Sequence, residues 1–243
     1  MSSSVRQPNQ YMNPEARLPM RSGATLSHIV HRFLSQNMVY PLMLSTLLVG
    51  LIWSGRVIRL GDLNFGFIPY NLALAWVPYL FSLLAMLLHG RWPRYWWLLA
   101  IPFAFWLIFF PNAPYTVTDL LHFDNRPPIP VWYDLGLFAM FAWTGCFLGI
   151  ASLNIMQTIV QDYLGRRASW LFVVGAIFLS GLGMYLGRFL EWNSWDLFTS
   201  PGEIVAQVVQ SLVHLQIYEF TLMFAAFVLM CYLTFVSVQQ REH

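Results

Sequence analysis

The chain has 243 residues, of which 58% are hydrophobic and only 10% are charged. Because soluble domains carry about 25% charged residues, this composition predicts an integral membrane protein and excludes an ordinary soluble domain. The formal net charge of +2, without a basic patch that interleaves aromatic residues, argues against a nucleic-acid partner.

The first 37 residues differ in composition from the rest of the chain. They are rich in Ser, Pro, Asn, Gln and Arg and show no apolar periodicity. No apolar core with a small-residue cleavage site follows them, so we do not expect them to form a signal peptide. We predict a flexible cytoplasmic tail over 1–37 and a six-helix membrane domain over 38–240.

Six apolar runs are candidates for membrane spans, since a span needs roughly 17–25 residues. They cover residues 38–55, 69–88, 95–110, 132–153, 169–187 and 216–238. The third run is short, at roughly 24 Å of helix. Either the bilayer thins there, or the following "PNAPY" lies partly inside the membrane, where irregular backbone must be covered by protein or face water. The expected fold is all-α: a polytopic membrane helix bundle.

A polar stretch, "FPNAPYTVTDLLHF" at 110–123, follows the third span directly. Pro111 and Pro114 predict the end of the third helix, and Asn112 between them is a turn residue. A new helix is predicted from Thr116, with Asp119 three residues on as in a capping box. The stretch is therefore predicted to be a short re-entrant or interfacial segment.

Asp119 and His122 are three residues apart and share one face of that predicted helix. A carboxylate beside an imidazole can orient a general base or help to bind a metal. The alternative is structural: Asp119 caps the helix and His122 hydrogen-bonds at the membrane interface. The sequence leaves both open.

Ionisable and glycine residues mark the later spans. Asp134 lies one turn inside the fourth span, where a carboxylate is costly unless paired, and we expect Arg126 or Arg188 as its partner. Glu219 in the sixth span raises the same question. Glycines spaced four apart, Gly145 with Gly149 and Gly183 with Gly187, predict close helix approach within a compact bundle rather than a specific dimer interface.

A second polar stretch, "GRFLEWNSWD" at 187–196, follows the fifth span. Arg188 and Glu191 form an ion pair if the helix continues; alternatively, the planar Arg188 guanidinium faces an anionic headgroup. Asn193 or Ser194 is predicted to cap a short helix that begins at Trp195 and Asp196.

The segment before the sixth span, "EIVAQVVQSLVHLQ" at 203–216, repeats apolar residues at helical spacing. We predict an interfacial helix on the outer surface. His214, near its end, is placed where it could approach Asp119 and His122.

Arginine positions predict the orientation of the chain. With a cytoplasmic tail and six spans, nine arginines fall inside and four outside, which favours cytoplasmic termini. The inside set is Arg6, Arg17, Arg21, Arg32, Arg91, Arg94, Arg166, Arg167 and Arg241; the outside set is Arg56, Arg59, Arg126 and Arg188. The same assignment puts eight of the eleven acidic residues on the outer side, as an acidic and aromatic cap.

Several catalytic motifs are absent from the sequence. There is no Walker loop, no Gly-x-Ser-x-Gly elbow and no His-Glu-x-x-His metal helix. The chain also contains no lysine, which excludes Schiff-base chemistry on a lysine amine. No metal-ligand residues are predicted, and the sequence leaves the cofactor unknown.

Three blocks carry a resemblance: "FFPNAPYTVTDLLHF", "PVWYDLGLFAMFAW" and "GRFLEWNSWDLF". They resemble an uncharacterised family of bacterial integral membrane proteins, a domain of unknown function that occurs in firmicutes and cyanobacteria. The likeness covers most of residues 40–238 and implies a multi-span membrane protein without supplying an activity. The family often has a basic residue at the position of Glu191, which disfavours an Arg188–Glu191 ion pair.

The leading hypothesis is an extracytoplasmic site at headgroup depth that binds or modifies a lipid or lipid-linked substrate. In it His122 is a base, Asp119 orients it and Arg188 holds an anionic group. The remaining walls of the predicted site are Asn112, Tyr115, Asn193 and Asp196. Transport is disfavoured by the few charges inside the spans.

The alternative hypothesis is a non-enzymatic partner that helps to assemble or stabilise a larger membrane complex, a photosynthetic one in a cyanobacterium. The expected partners are therefore membrane lipids or another membrane protein complex. The expected location is the bacterial inner membrane, multi-pass with both termini cytoplasmic, or the thylakoid membrane in a cyanobacterium.

Overall fold

Helices make up almost all of the computed structural model, which describes residues 26–61, 63–123 and 129–239, and these ranges contain no strand. The α-helices are α1 Leu26–Gln36, α2 Val39–Leu60, α3 Phe67–Arg91, α4 Ala100–Phe109, α5 Asn112–Thr118, α6 Val131–Phe189, α7 Asp196–Thr199, α8 Pro201–Ser211 and α9 Leu215–Gln239. A 3₁₀ turn, Trp96–Leu99, precedes α4, and another, Asp119–His122, follows α5. The predicted all-α class is confirmed.

Helix α1 lies inside the segment that composition alone marks as a tail. Its 11 residues, Leu26–Gln36, are helical, and the Asn37 side-chain amide donates to the Phe33 carbonyl at 2.8 Å. Residues 1–25 lie outside the described ranges, so a flexible cytoplasmic tail stays a prediction.

Five helical segments are long and apolar enough to cross a membrane. They are Val39–Leu60, Phe67–Arg91, Trp96–His122, Val131–Phe189 and Leu215–Gln239. The fourth has 59 residues and would be about 88 Å long if straight, nearly three times the hydrocarbon thickness. It contains both the fourth and the fifth predicted spans.

Helix α6 is divided at Gly165 into two arms, 131–164 and 166–189. Gly165 has φ 81° and ψ 172°, a backbone conformation that only glycine adopts readily. Trp106 shows that the arms fold back on each other, because its indole N–H donates to Ser152 of the first arm and its ring lies 5.5 Å from Phe172 of the second. Each of the six predicted apolar runs thus lies almost entirely within a helical segment of a membrane bundle.

The polar stretch after α4 continues the helical course instead of ending it. Phe110 and Pro111, the two residues between α4 and α5, both keep right-handed helical angles, and α5 begins at Asn112. The predicted helix start at Thr116 is therefore wrong. The segment Trp96–His122 has 27 residues, about 40 Å, so the third span is not short.

The paired glycines of α6 make room for α5 between the two arms. A Cβ atom on Gly183 would lie 2.6 Å from Pro111 Cγ, and one on Gly149 would lie 3.2 Å from Ala113 Cβ. Gly145 faces Thr116 so closely that any Cβ would overlap its side chain. The predicted close approach is confirmed, and it occurs within one chain.

Asp134 is paired at the end of the bundle with a residue that the sequence did not indicate. Its Oδ1 accepts a hydrogen bond from Arg56 Nε at 2.9 Å, and both side chains are buried. The Arg56 guanidinium also lies 4.3 Å from the centre of the Phe65 ring. The expectation of Arg188 as partner is wrong, and Arg126 lies outside the described residues.

Helix α8 has the predicted helical form, although it ends at Ser211 and a turn separates it from α9. Ile204 and Ser211 are buried against the bundle. Val205 and Val209 remain 62% and 59% exposed, so α8 presents an apolar outer stripe. This pattern fits a helix that lies along a membrane surface.

Candidate functional site

Three helical segments bring their ends together around Asp119. Its Oδ1 accepts a hydrogen bond from Arg188 Nη2 at 2.5 Å, and its Oδ2 accepts one from Asn71 Nδ2 at 2.7 Å. Asn71 lies near the start of α3, Asp119 follows α5, and Arg188 is in the last turn of α6. The exposed fractions of the Arg188 and Asp119 side chains are only 8% and 2%. A charged pair so far from water needs this full set of hydrogen bonds.

The Arg188 guanidinium is the centre of this network. Besides Asp119, it donates from Nε and Nη2 to Thr118 Oγ1 at 3.2 Å and 2.8 Å, and from Nη1 to His122 Nε2. Its carbon lies 4.7 Å from the centre of the Tyr115 ring. Four of its five N–H groups therefore have protein acceptors.

This geometry differs from the predicted arrangement, in which Asp119 orients His122 and Arg188 holds an anionic group. Arginine has no acceptor atom, so Arg188 Nη1–H donates this hydrogen bond and the lone pair of His122 Nε2 accepts it. His122 also packs at 5.5 Å, centre to centre, on Phe67. Arg188 therefore lies between Asp119 and His122, and the catalytic roles assigned to those two residues stay a prediction.

Arg188 pairs with Asp119 rather than with Glu191. Helix α6 ends at Phe189, and Glu191 has φ 57°, so the helix does not continue as an Arg188–Glu191 pair requires. The Trp192 N–H returns to the Leu186 carbonyl at 3.2 Å, a hydrogen bond that closes the helix end. This turn begins the loop that connects α6 to α7.

A cavity of about 190 Å³ lies beside this network, at the same end of the bundle. Its polar wall includes Tyr70, Asn71, Asn112, Tyr115, Glu191, Asn193 and Ser194. Its apolar wall includes Leu74, Ile108, Leu186, Leu197 and Ile204. Asn71 and Tyr115 join the two features, since both line the cavity and contact the Asp119–Arg188 network.

Two hydrogen bonds shape the loop that closes the cavity. Asn112 Nδ2 donates to Ser194 Oγ at 2.9 Å, which ties α5 to the loop after α6. The Asn193 backbone N–H donates to Asp196 Oδ2 at 2.7 Å. Neither Asn193 nor Ser194 caps α7 through its side chain, so the predicted cap is wrong.

The structure therefore divides the predicted site residues into two neighbouring groups. Asn112, Tyr115 and Asn193 line the cavity, whereas Asp119, His122 and Arg188 form the network beside it. Asp196 holds the loop and does not line the cavity.

The remaining predicted neighbour, His214, is exposed, and among the described residues no hydrogen bond or ring contact joins it to Asp119 or His122. In the part of the chain that the structure describes, His214 therefore does not belong to the network of Asp119 and His122.

The sequence did not indicate three polar residues of the network and the cavity wall: Asn71, Thr118 and Tyr70. Asn71 carried a usable signal, because an amide inside an apolar span is expensive unless it has a partner. Thr118 lies in the polar stretch already singled out, but threonine is too common in helices of membrane proteins to point to Arg188. Tyr70 looked like one of the many aromatic residues expected at a membrane boundary.

The fold and site define a class: a polytopic α-helical membrane protein with a buried ion pair and a small mixed cavity at one end. The profile of DUF1361, described as a protein of unknown function, matches residues 70–231, two thirds of the chain. The chain belongs to this family. Comparison with curated proteins and with solved structures gives no significant match.

Proposed function

We propose that this protein binds a membrane lipid, or a lipid-linked substrate, with the polar headgroup in the cavity beside Asp119 and Arg188. The observation that carries the proposal is the mixed wall of the cavity. Amide, hydroxyl and carboxylate groups line one part of it, and aliphatic side chains line the other. A ligand that is itself half polar and half apolar satisfies both parts.

The volume of the cavity limits what enters it. Small-molecule sites usually enclose about 300–1,000 Å³, and a water molecule takes about 30 Å³. A space of about 190 Å³ accommodates a headgroup but not the acyl chains of a lipid. The chains would therefore stay in the bilayer, next to Leu74, Ile108 and Leu197.

The position of α8 supports the same proposal. Ile204 lines the cavity on one edge of the helix, while Val205 and Val209 are exposed on another. Trp192 Nε1 donates to Gln207 Oε1 at 2.6 Å, which attaches α8 to the loop that closes the cavity. An apolar stripe beside a headgroup pocket suits a helix that lies in the membrane interface.

The buried network has a structural role in this proposal. None of Asp119, His122 and Arg188 lines the cavity. Through Asn71 and Tyr115 they hold two of its walls in place. Binding therefore needs no proton transfer by His122. The proposed location is the bacterial inner membrane, with both termini cytoplasmic and the cavity on the outer side, which follows from the arginine distribution.

Filling the cavity tests the proposal. We expect the variant Leu74→Trp/Leu197→Trp to lose a lipid that wild-type protein retains through detergent washing, counted by native mass spectrometry. Val205→Trp/Val209→Trp, which also introduces two tryptophans but at exposed positions on α8, is the matched control and should retain the lipid. Identical lipid retention in all three proteins would contradict the proposal.

A further inference from the structure

The charge of the cavity wall indicates which headgroup it takes, provided that the proposed lipid site is correct. Among the described residues that line the cavity, Glu191 alone carries a formal charge. It is exposed, and it makes no ion pair with another described residue. The cavity is therefore negative, which disfavours a phosphate or carboxylate inside it.

The nearby cation does not offset this charge. Arg188 would be the natural ligand of an anion, but its guanidinium donates to Thr118, Asp119 and His122. It also lies against Tyr115 and is mostly buried, and it is not part of the cavity wall. An anionic headgroup would therefore meet a guanidinium that already donates four of its five N–H groups to the protein and whose charge is balanced by Asp119.

The amides of the wall favour a ligand that donates hydrogen bonds. Asn71 Nδ2 donates to Asp119 Oδ2 at 2.7 Å, and Asn193 Nδ2 donates to Asp196 Oδ2 at 3.4 Å. Because an ionised carboxylate only accepts hydrogen bonds, these amides must present their nitrogens to the protein. The Asn112 Nδ2 group likewise donates a hydrogen bond to Ser194 Oγ. The side-chain carbonyl oxygens remain as acceptors.

Aromatic side chains complete the wall. Tyr70 and Trp192 both line the cavity, whereas the ring of Tyr115, also in its wall, already holds the Arg188 guanidinium. The faces of such rings attract cations through their quadrupole, most strongly where water is excluded. A carboxylate, amide oxygens and aromatic rings are together the groups that bind an ammonium ion.

We propose that the cavity selects a lipid with an amine-bearing headgroup, whose ammonium group pairs with Glu191. An ammonium group has three N–H donors, which Glu191 and the amide carbonyl oxygens can accept. Its charge balances that of Glu191, so the filled cavity is neutral. The phosphate, at the end of the headgroup nearest the acyl chains, lies at the mouth of the cavity, because the negative charge of Glu191 disfavours a second anion deeper inside.

Competition between two lipids with the same acyl chains tests this inference. The probes are phosphatidylethanolamine, which carries the amine, and phosphatidylglycerol, which carries hydroxyl groups and a net negative charge. Purified full-length protein is exchanged into detergent with both lipids, and native mass spectrometry gives the ratio of bound forms. We expect wild-type protein to prefer phosphatidylethanolamine by about tenfold, as one charge-assisted hydrogen bond implies.

The variant Glu191→Gln keeps the size of the side chain and removes its charge. We expect the preference to fall to about twofold or less, while total lipid retention persists. Glu203→Gln on α8 is the matched control, since Glu203 is exposed and does not line the cavity, and its preference should equal that of wild type.

Two outcomes separate the inference from the proposed function. A wild-type preference for phosphatidylglycerol, or an unchanged ratio in Glu191→Gln, would overturn the amine selectivity but leave the lipid site intact. If Leu74→Trp/Leu197→Trp retained both lipids as wild type does, the lipid site itself would be refuted, and the amine selectivity with it.

Discussion

Asp119 and Arg188 show at the scale of single residues how a charge is kept inside a membrane bundle. Their direct contact of 2.5 Å is supplemented by Asn71 on the carboxylate and by Thr118 on the guanidinium. A buried pair of this kind is weak evidence of net stabilisation, because desolvation cancels much of the attraction. Removal of one partner is different, because the other charge then remains buried and unpaired.

We therefore expect Asp119→Asn to lower the free energy of unfolding by about 3–5 kcal/mol. The measurement is thermal or denaturant unfolding of the purified protein in detergent, together with its level in the membrane. Glu203→Gln, at an exposed site, should stay within about 0.5 kcal/mol of wild type.

The pairing itself is tested by a double-mutant cycle. Arg188→Gln alone should also destabilise, and Asp119→Asn/Arg188→Gln should cost less than the sum of the two single changes. Additive effects would show that Asp119 and Arg188 do not interact in the folded protein. A normal membrane level of Asp119→Asn with lost function would instead favour the catalytic role predicted for this carboxylate.

The sequence predicted most of these residues but not their pairing. Asp119, His122 and Arg188 each stood out because ionisable groups are rare in an apolar chain. Which of these residues pair depends on where each helix ends and on which neighbouring helix its last turn meets. No pattern in a single sequence reveals this. For the same reason Asp134 was matched with the wrong arginine: Arg56 lies 78 positions away, in a loop-proximal turn of α2.

At the scale of elements, α5 and the two arms of α6 form the part of the bundle that shapes the site. The glycines at 145, 149 and 183 let α5 approach both arms, and α5 carries Asn112 and Tyr115 into the cavity wall. The glycine spacing was visible in the sequence. The continuation of the helix through Pro111 was not, because proline normally ends a helix, and here it lies at the N-terminal boundary of α5, where its missing N–H costs nothing.

The close approach predicts opposite effects for two glycines of α6. We expect Gly145→Ala to destabilise the protein by about 1–3 kcal/mol, because the new methyl group overlaps Thr116. Gly175→Ala is the matched control in the second arm, where no atom lies within 4 Å of the added Cβ. It should be neutral or slightly stabilising, since alanine restricts the unfolded chain.

Unfolding midpoints of the purified variants in one detergent provide the comparison. Equal midpoints for Gly145→Ala and Gly175→Ala would contradict the tight packing of α5 against the first arm of α6. Only a glycine at position 116 would relieve the overlap, because the Cβ of Thr116 itself lies 2.8 Å from the Cβ added at position 145.

At the scale of the whole molecule, the hairpin in α6 determines which helix ends share a side. Because the chain reverses at Gly165, residues 131 and 189 lie at the same end of the bundle. Contacts of Arg56 with Asp134 and of Asn71 and Arg188 with Asp119 place the acidic residues of several segments at that end. The alternation of six spans was predictable from hydropathy. The shape of the cavity was not, because it depends on residues from six helices and from the loop after α6.

The orientation of this bundle in the membrane gives the last prediction. Arg91, Arg94, Arg166 and Arg167 lie at the end opposite to the cavity, and an excess of arginine marks the cytoplasmic side. We expect a cysteine at Thr199, on α7 beside the cavity, to react with a membrane-impermeant maleimide added to intact cells. A cysteine at Leu164, 70% exposed next to the Gly165 bend, should react only after the cells are permeabilised. Both are made after Cys146 and Cys231 are replaced by alanine, and neither changes the arginine count.

Labelling of Leu164→Cys but not Thr199→Cys in intact cells would show that the bundle has the opposite orientation, with the cavity in the cytoplasmic leaflet. The cavity itself would be unchanged, but the lipid that it binds would have to come from the cytoplasmic leaflet.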